Sequence, residues 1–400
     1  MKISVIIVSY NVKYYLQQCL ETLYNSAVGI EMEVFVVDNA STDGTQKYIK
    51  KTFPKEKFPT LTLLENSENL GFGKANNLGL RESKGEYILF INPDTMVGEN
   101  CLKDCLDFFW HHSDAGGLGV RMLKPNGAFA PESRRGLPTP FTSLCKILGL
   151  SKMFPQSHVF GRYYMQYQNE WKENSIDVVS GAFMMIPHAV LNKVGGFDED
   201  FFMYGEDIDL SYRIQKAGFQ NYYLPTPILH YKGESTEKSS YRYVYVFYQA
   251  MLIFFDKHYK HYGFFLSLPI KVSVFLFAMN TLLHKKIGSL LSSVRVRNNE
   301  LPKKYLFIGS SKMLDEAREI CRCSMLEADF VEGNEKNLSR GHLDATINCS
   351  DYGFVVYDRS AFRVESILKL FDSAKNKNNL MGTYDLFNHL LITNQNVFKL

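Results

Sequence analysis

Paired-cysteine spacing is missing from this chain. Its seven cysteines form no C-x-x-C pair, and Cys321 and Cys323 stand too close together for a zinc pattern. This is the usage of a reduced, cytosolic protein. Charge of one sign is also scarce: a net +3 gives no whole-molecule field for holding nucleic acid. The turn "IGSS" at 308–311 lacks the G-x-G-x-x-G of a dinucleotide site. No secretory leader is expected, because Met1-Lys2 runs straight into "ISVIIVSYN", which reads as a buried strand. What remains is ample core: 400 residues, 46% hydrophobic and 22% charged, are enough for two or three globular domains.

One apolar run stands out. Residues 264–283, "FFLSLPIKVSVFLFAMNTLL", have the length of a membrane span and carry a single charge, Lys271. Ser267, Lys271, Ala278 and Thr281 fall on one side of a helix, which suits an interfacial or re-entrant element; a true span and a buried helix are the alternatives. Basic residues flank the run, among them Lys260, Lys285, Lys286 and Arg295, as suits an anionic cytoplasmic membrane surface.

The first 125 residues alternate strand and helix. "ISVIIVSY", "EVFVVDN", "LTLLEN" and "EYILFINPD" are apolar strands, and amphipathic helices follow them. The pattern predicts a parallel sheet covered on both faces. Ligands of such sheets lie beyond the carboxyl ends of the strands, where Tyr10-Asn11, Asp38-Asn39 and Asn92-Pro93-Asp94 fall. Residues 124–175 lose the pattern and gather prolines and aromatics, as a long functional loop or lid would. From Leu301 a second small α/β unit begins with "YLFIGSS" and continues through "YGFVVYD".

Four polar clusters admit both a structural and a chemical reading. In "VVDNASTDGT" (37–45 with its preceding valine), Asp38 can accept the imide N–H of a pyrimidine, or the stretch is a turn and helix cap. In "INPDT" an acid can hold Mg²⁺ or Mn²⁺, or the residues simply start a helix. His230, in "HYKGES", follows the Pro-bounded strand "PTPILH", where a lone histidine is usually structural. "YGEDIDL" (204–210) places Glu206, Asp207 and Asp209 in a first helical turn, where the helix dipole favours acids and Asp209 can pair with Arg213.

Taken in order, "VIIVSYN", "VVDNASTDGT", "ENLGFGKANNLG", "ILFINPDT", "SGAFMMIP", "GGFDEDFFMYGEDIDLSYRIQKAGF" and "HYKGES" resemble the family 2 inverting glycosyltransferases of the GT-A fold, within them the rhamnosyltransferase type. The resemblance covers about residues 3 to 235. It implies a donor site of Ser9, Tyr10, Asn11, Asp38, Asn39, Gly71, Phe72, Asn76, Asn92, Asp94, Gly181 and Ala182. Asp94 and His230 would bind Mg²⁺ or Mn²⁺, with Asn92 standing where the family's D-x-D motif has its first acid. Asp207 would be the catalytic base and Glu206 would orient the site. Phe201, Phe202 and Tyr204 would form an apolar wall for sugar faces, and the metal, or Arg134 and Arg135, would neutralise the departing diphosphate.

The expected architecture is α/β: a Rossmann-like GT-A domain over 1–240, a helical membrane-associated segment over 241–300 and a small Rossmann-like domain over 301–400. The expected partners are a nucleotide-sugar donor, a lipid-linked saccharide acceptor and the cytoplasmic surface of the inner membrane, without nucleic acid. Two other readings stay open. A nucleotidyltransferase would carry a glycine-rich triphosphate loop after the first strand, which "VSYNVKYYL" lacks; a non-catalytic binding subunit would have no need of Asp207, Asp94 and His230.

Overall fold

A computed structural model describes residues 2–231, 241–259 and 304–400. The apolar run at 264–283 lies outside them. Among the described residues no helix is long and apolar enough to cross a membrane.

The amino-terminal part runs β1 (Lys2–Ser9), α1 (Lys13–Ser26), β2 (Glu31–Asp38), α2 (Thr45–Thr52), β3 (Leu61–Glu65), α3 (Phe72–Glu82), β4 (Tyr87–Ile91), β5 (Thr95–Val97), α4 (Cys101–His111) and β6 (Ala115–Leu123). After a loop come α5 (Pro140–Ile147), α6 (Leu150–Met153), β7 (Asn174–Ile176), β8 (Phe183–Pro187), α7 (His188–Val194), α8 (Glu206–Lys216), β9 (Gln220–His230) and α9 (Tyr241–His258). The carboxyl-terminal part runs β10 (Tyr305–Gly309), α10 (Ser311–Ser324), β11 (Ala328–Glu332), β12 (Phe354–Asp358), α11 (Val364–Ser373), β13 (Leu380–Asp385), β14 (Leu390–Thr393) and β15 (Val397–Lys399).

The first sheet has the order β3-β2-β1-β4-β8-β6-β9-β5, with β7 on β9. Strands β1 to β4 are parallel, as their unbroken apolar runs predict. Beyond β4 the sheet is mixed, because β8, β5 and β7 run antiparallel to their neighbours. Strand order reverses between β1 and β4, so a crevice opens at the carboxyl ends of β1, β2 and β4.

The segment expected over 241–300 is helical where the structure describes it. Helix α9 packs on α8: Ala250 and Phe254 join Phe201 in a buried cluster, with Ile208 and Tyr212 against them. His258 meets the Asp209 carboxylate at 2.6 Å, and Lys257 pairs with Asp198 and Asp200. Residues 241–259 are thus part of the wall around the acidic helix.

The carboxyl-terminal sheet, β11-β10-β12-β13-β14-β15, packs against the first. They share one core, in which Val12, Tyr15, Met96 and Tyr231 meet Leu306, Tyr357, Phe362 and Ile392. Charged groups are buried at the same interface. Arg359 reaches Glu21 at 2.6 Å and Asp385 at 3.1 Å; Arg121, 2% exposed, pairs with Asp372 at 2.8 Å. The Glu99 carboxylate accepts from the backbone N–H groups of Val364 and Glu365, satisfying the open first turn of α11.

Candidate active site

The crevice is built on turns that side chains close. Asn11, in the left-handed region at φ 56°, lies in the turn after β1; its Oδ1 accepts from Thr42 N at 2.7 Å and its own N–H donates to Ser41 Oγ. Asp38 ends β2 fully buried. One of its oxygens accepts from Ser41 N and Gln46 Nε2 at 3.1 and 2.8 Å, while Oδ1 has no partner. A buried carboxylate oxygen without a donor is costly to a protein standing alone. The Ser9 hydroxyl is likewise buried and unpartnered, and Tyr10 is exposed beside it.

Asn39 has another role. Its Oδ1 accepts from Leu70 N and Asn66 Nδ2, and its Nδ2 donates to Asn69 Oδ1 and Gly71 O, so it holds the loop before α3 rather than facing the crevice. Asn76 is spent in the same way, donating to Phe72 O inside its own helix. Gly71 has φ +82°, and a Cβ there would come 2.4 Å from Phe202 O. Only glycine permits that approach, which lets Phe72 N donate to Phe202 O at 2.8 Å. The Phe72 ring then lies against Gly181, which also faces Asp207 Cβ.

Gly181 and Ala182 connect two groups of interest. Gly181 N donates to Asp207 Oδ2 at 3.2 Å, and Ala182 O accepts from Asn92 N at 3.0 Å. Next to Asn92, Asp94 Oδ1 lies 3.4 Å from His230 Nε2, and Asn92 Nδ2 lies 3.2 Å from the same nitrogen. The antiparallel pairing of β5 with β9 sets Thr95 opposite His230 and so brings these residues together across 136 positions of chain. A carboxylate oxygen and an imidazole nitrogen at this separation can be bridged by one divalent cation at ordinary ligand distances. Among the described residues no further His, Cys, Asp or Glu completes a set of three, so other ligands would come from phosphate oxygens and water.

Helix α8 begins on a left-handed pair, Tyr204 at φ 70° and Gly205 at φ 88°. Asp209 is buried between Arg213 (2.7 Å) and His258, a structural acid. Asp207 receives Arg135 Nη2 as well as Gly181 N. Glu206 is 6% exposed and its Oε2 has no partner. Burial, and then the Asp207 charge, push its carboxyl from an ordinary 4.5 up to about 8, so it holds its proton at neutral pH.

Glu206 and Asp207 line a cavity of about 440 Å³, closed by Arg135, Lys146, Lys152, Tyr163, Tyr164 and the α9 residues Met251 and Phe255. Sequence reasoning missed the lysines, the tyrosines and α9, because nothing in a single chain marks a loop residue as facing a helix a hundred positions away. Two expectations are corrected here. Arg134 points away from the site: it stacks over Phe129 and Tyr223 and donates to Gln168 O at 2.7 Å. Phe201 is core beneath α8 rather than wall, leaving Tyr204 as the cavity's aromatic from that run.

Residues 4–195 match the sequence profile of Glycosyl transferase family 2. Over that stretch the chain carries a family 2 glycosyltransferase domain. It is 29% identical to an N-acetylglucosaminyl-diphospho-decaprenol L-rhamnosyltransferase of Mycobacterium tuberculosis, over 64% of this chain and 85% of that one. It is 36% identical to a poly(ribitol-phosphate) β-N-acetylglucosaminyltransferase of Staphylococcus aureus, over 33% of this chain and 23% of that one. Among solved structures, a mannosyltransferase of Pyrobaculum calidifontis in complex with GDP-Man and Mn²⁺ matches with TM-score 0.46 and 20% identity, over 73% of this chain and 79% of that one. This transferase has the α/β GT-A fold on its mixed sheet.

The ionisation of Glu206 gives a first test. Its folded pKa, about 8, lies above its ordinary 4.5, so its contribution to stability is fully present below pH 4.5 and is lost as pH rises through 8. Glu206→Gln is therefore expected to melt progressively higher than the parent as pH goes from 5 to 9. It should retain transfer within about tenfold at pH 7, because a neutral amide replaces a neutral acid. Melting curves and rates across pH check both. Equal melting differences at pH 5 and 9 would show that Glu206 is ionised in the folded protein.

Proposed function

We propose that this transferase moves a sugar, with inversion, from a nucleoside-diphosphate sugar to a hydroxyl of a lipid-linked saccharide in cell-surface polysaccharide synthesis. The observation that carries the reading is the position of Asp207, which accepts from Gly181 N–H and lines the cavity. In this reading Asp207 takes the proton of the acceptor hydroxyl as its oxygen attacks the anomeric carbon. The bond from that carbon to the nucleoside diphosphate breaks on the opposite face. Asp38 Oδ1, buried and unpartnered, accepts the imide N–H of a uracil or thymine base. Glu206, holding its proton, stands beside Asp207 without adding a second charge.

Asp94 and His230 would hold Mg²⁺ or Mn²⁺, which would supply positive charge to the leaving diphosphate. The likeness to the mycobacterial rhamnosyltransferase favours dTDP-L-rhamnose, with UDP-sugars as the alternative donors. A lipid-linked acceptor places the enzyme at the cytoplasmic face of the inner membrane, held peripherally or monotopically.

Melting in the presence of UDP-, dTDP- and GDP-sugars and free NTPs, with and without Mn²⁺, tests the donor side, since a ligand of the folded state raises the melting temperature by mass action. A dTDP- or UDP-sugar is expected to raise it, and more so with metal. A response to NTPs alone would replace sugar transfer by nucleotidyl transfer.

A further inference from the structure

The cavity beside Asp207 has one wall whose polarity is turned inside out. Helices α5 and α6 bury small and polar side chains, Thr142, Ser143, Cys145 and Ser151, each 5% exposed or less. Their outward side carries Phe141, Leu144, Leu148, Met153 and Phe154, exposed by 43% to 68%. A helix on the surface of a water-soluble domain shows the opposite arrangement. Large apolar side chains gathered in so short a stretch mark a contact surface. From Thr139 to Phe154 the charges are Lys146 and Lys152, with no acid.

Both lysines line the cavity. Lys146 Nζ sits 3.6 Å from the centre of the Tyr163 ring, which fixes its ammonium at the cavity wall. Apolar residues facing out, with cations beside them and a cavity behind, fit the surface of an anionic bilayer, where side chains enter the acyl boundary and lysines meet phosphates.

We propose that the α5–α6 segment is the port at which this enzyme meets an anionic bilayer, and that a lipid-linked diphosphate acceptor enters the cavity between Lys146 and Lys152. The proposal rests on the reading of the acceptor as lipid-linked. It assigns the hydrocarbon side to Leu148, Met153 and Phe154 and the phosphate side to the two lysines. The acceptor's saccharide then reaches Asp207 through the cavity, while its lipid stays in the membrane.

An environment-sensitive fluorophore tests the port without any acceptor. Cys323 is exposed and Cys349 half-buried, so Cys323→Ser with Cys349→Ser removes background labelling. The fluorophore is then attached to Met153→Cys, or to Phe387→Cys in the turn between β13 and β14 as a control; both positions are exposed and neither holds the fold. With phosphatidylglycerol vesicles, the label at 153 should shift to the blue and be quenched by spin-labelled lipid, less so with phosphatidylcholine. The label at 387 should not respond. Leu148→Glu with Met153→Glu should weaken vesicle binding about tenfold or more and leave melting unchanged. No response at 153, or equal responses at 153 and 387, would overturn the port. Transfer to a water-soluble acceptor alongside a silent label at 153 would keep the transferase reading and remove the port. A response at 153 alone would support the membrane contact, even if no lipid-linked saccharide accepted the sugar and the acceptor reading fell.

Discussion

Asp207→Asn is expected to lower the turnover number by about three orders of magnitude, within the range removed with a general base, while changing donor affinity by no more than a few-fold. The reason is local. Asparagine has the shape of aspartate and keeps an oxygen for Gly181 N–H, so the backbone at the Gly181–Ala182 bend stays in place. It cannot take a proton from an acceptor hydroxyl. It also no longer pairs as a charge with Arg135, which loses its carboxylate partner in a largely buried setting. Losing one partner of a buried pair costs stability, and a melting temperature lowered by a few degrees is part of the expected result. Donor binding by calorimetry and turnover with saturating donor decide between the roles. Lost donor affinity would make Asp207 a donor ligand, and retained turnover would move the base to another residue.

The Arg135 contact gives that experiment a second layer. In the acceptor-free protein Arg135 Nη2 donates to Asp207, and an anionic acceptor entering beside Arg135 offers the guanidinium a competing partner.

The elements of the first sheet were legible because their periods are local. The apolar runs at 3–8, 34–37 and 88–91 became β1, β2 and β4, and the acids and amides that follow them lie at the strand ends. The direction of β8 was not legible, since "FMMIP" reads the same whether it pairs parallel or antiparallel. Residue type also failed to separate neighbours with different duties. Asp38 keeps an oxygen open, while Asn39, one position later, spends its whole amide on the loop before α3. Arg134 and Arg135 alternate faces of an extended segment, so one stacks on Tyr223 and the other reaches Asp207. The docking of the carboxyl-terminal sheet left no sequence trace, because Glu21 and Arg359 meet across 338 residues.

That docking carries the last prediction. Arg359→Met should lower stability by roughly 3–5 kcal/mol, as breaking a buried ion cluster does. Glu21 and Asp385 would be left facing each other at 20% and 11% side-chain exposure without their shared cation. Burial already raises Glu21 above the usual carboxylate range in spite of Arg359, so the cluster contributes by matching charge rather than by net attraction. In the variant Glu21, already raised by burial, loses the cation that lowers it and is protonated more readily, so the loss should be smaller at pH 5 than at pH 8. Glu21→Gln added to Arg359→Met should recover part of it. The effect should also reach the donor crevice. Helix α1 follows Tyr10-Asn11 directly, and Tyr15 packs edge-on against Tyr231, the neighbour of His230, at 5.1 Å. Loosening α1 from the second sheet is therefore expected to raise the donor KM with metal present. A melting temperature unchanged by Arg359→Met at both pH values would mean that the two sheets do not share this interface in solution, and that the crevice stands without it.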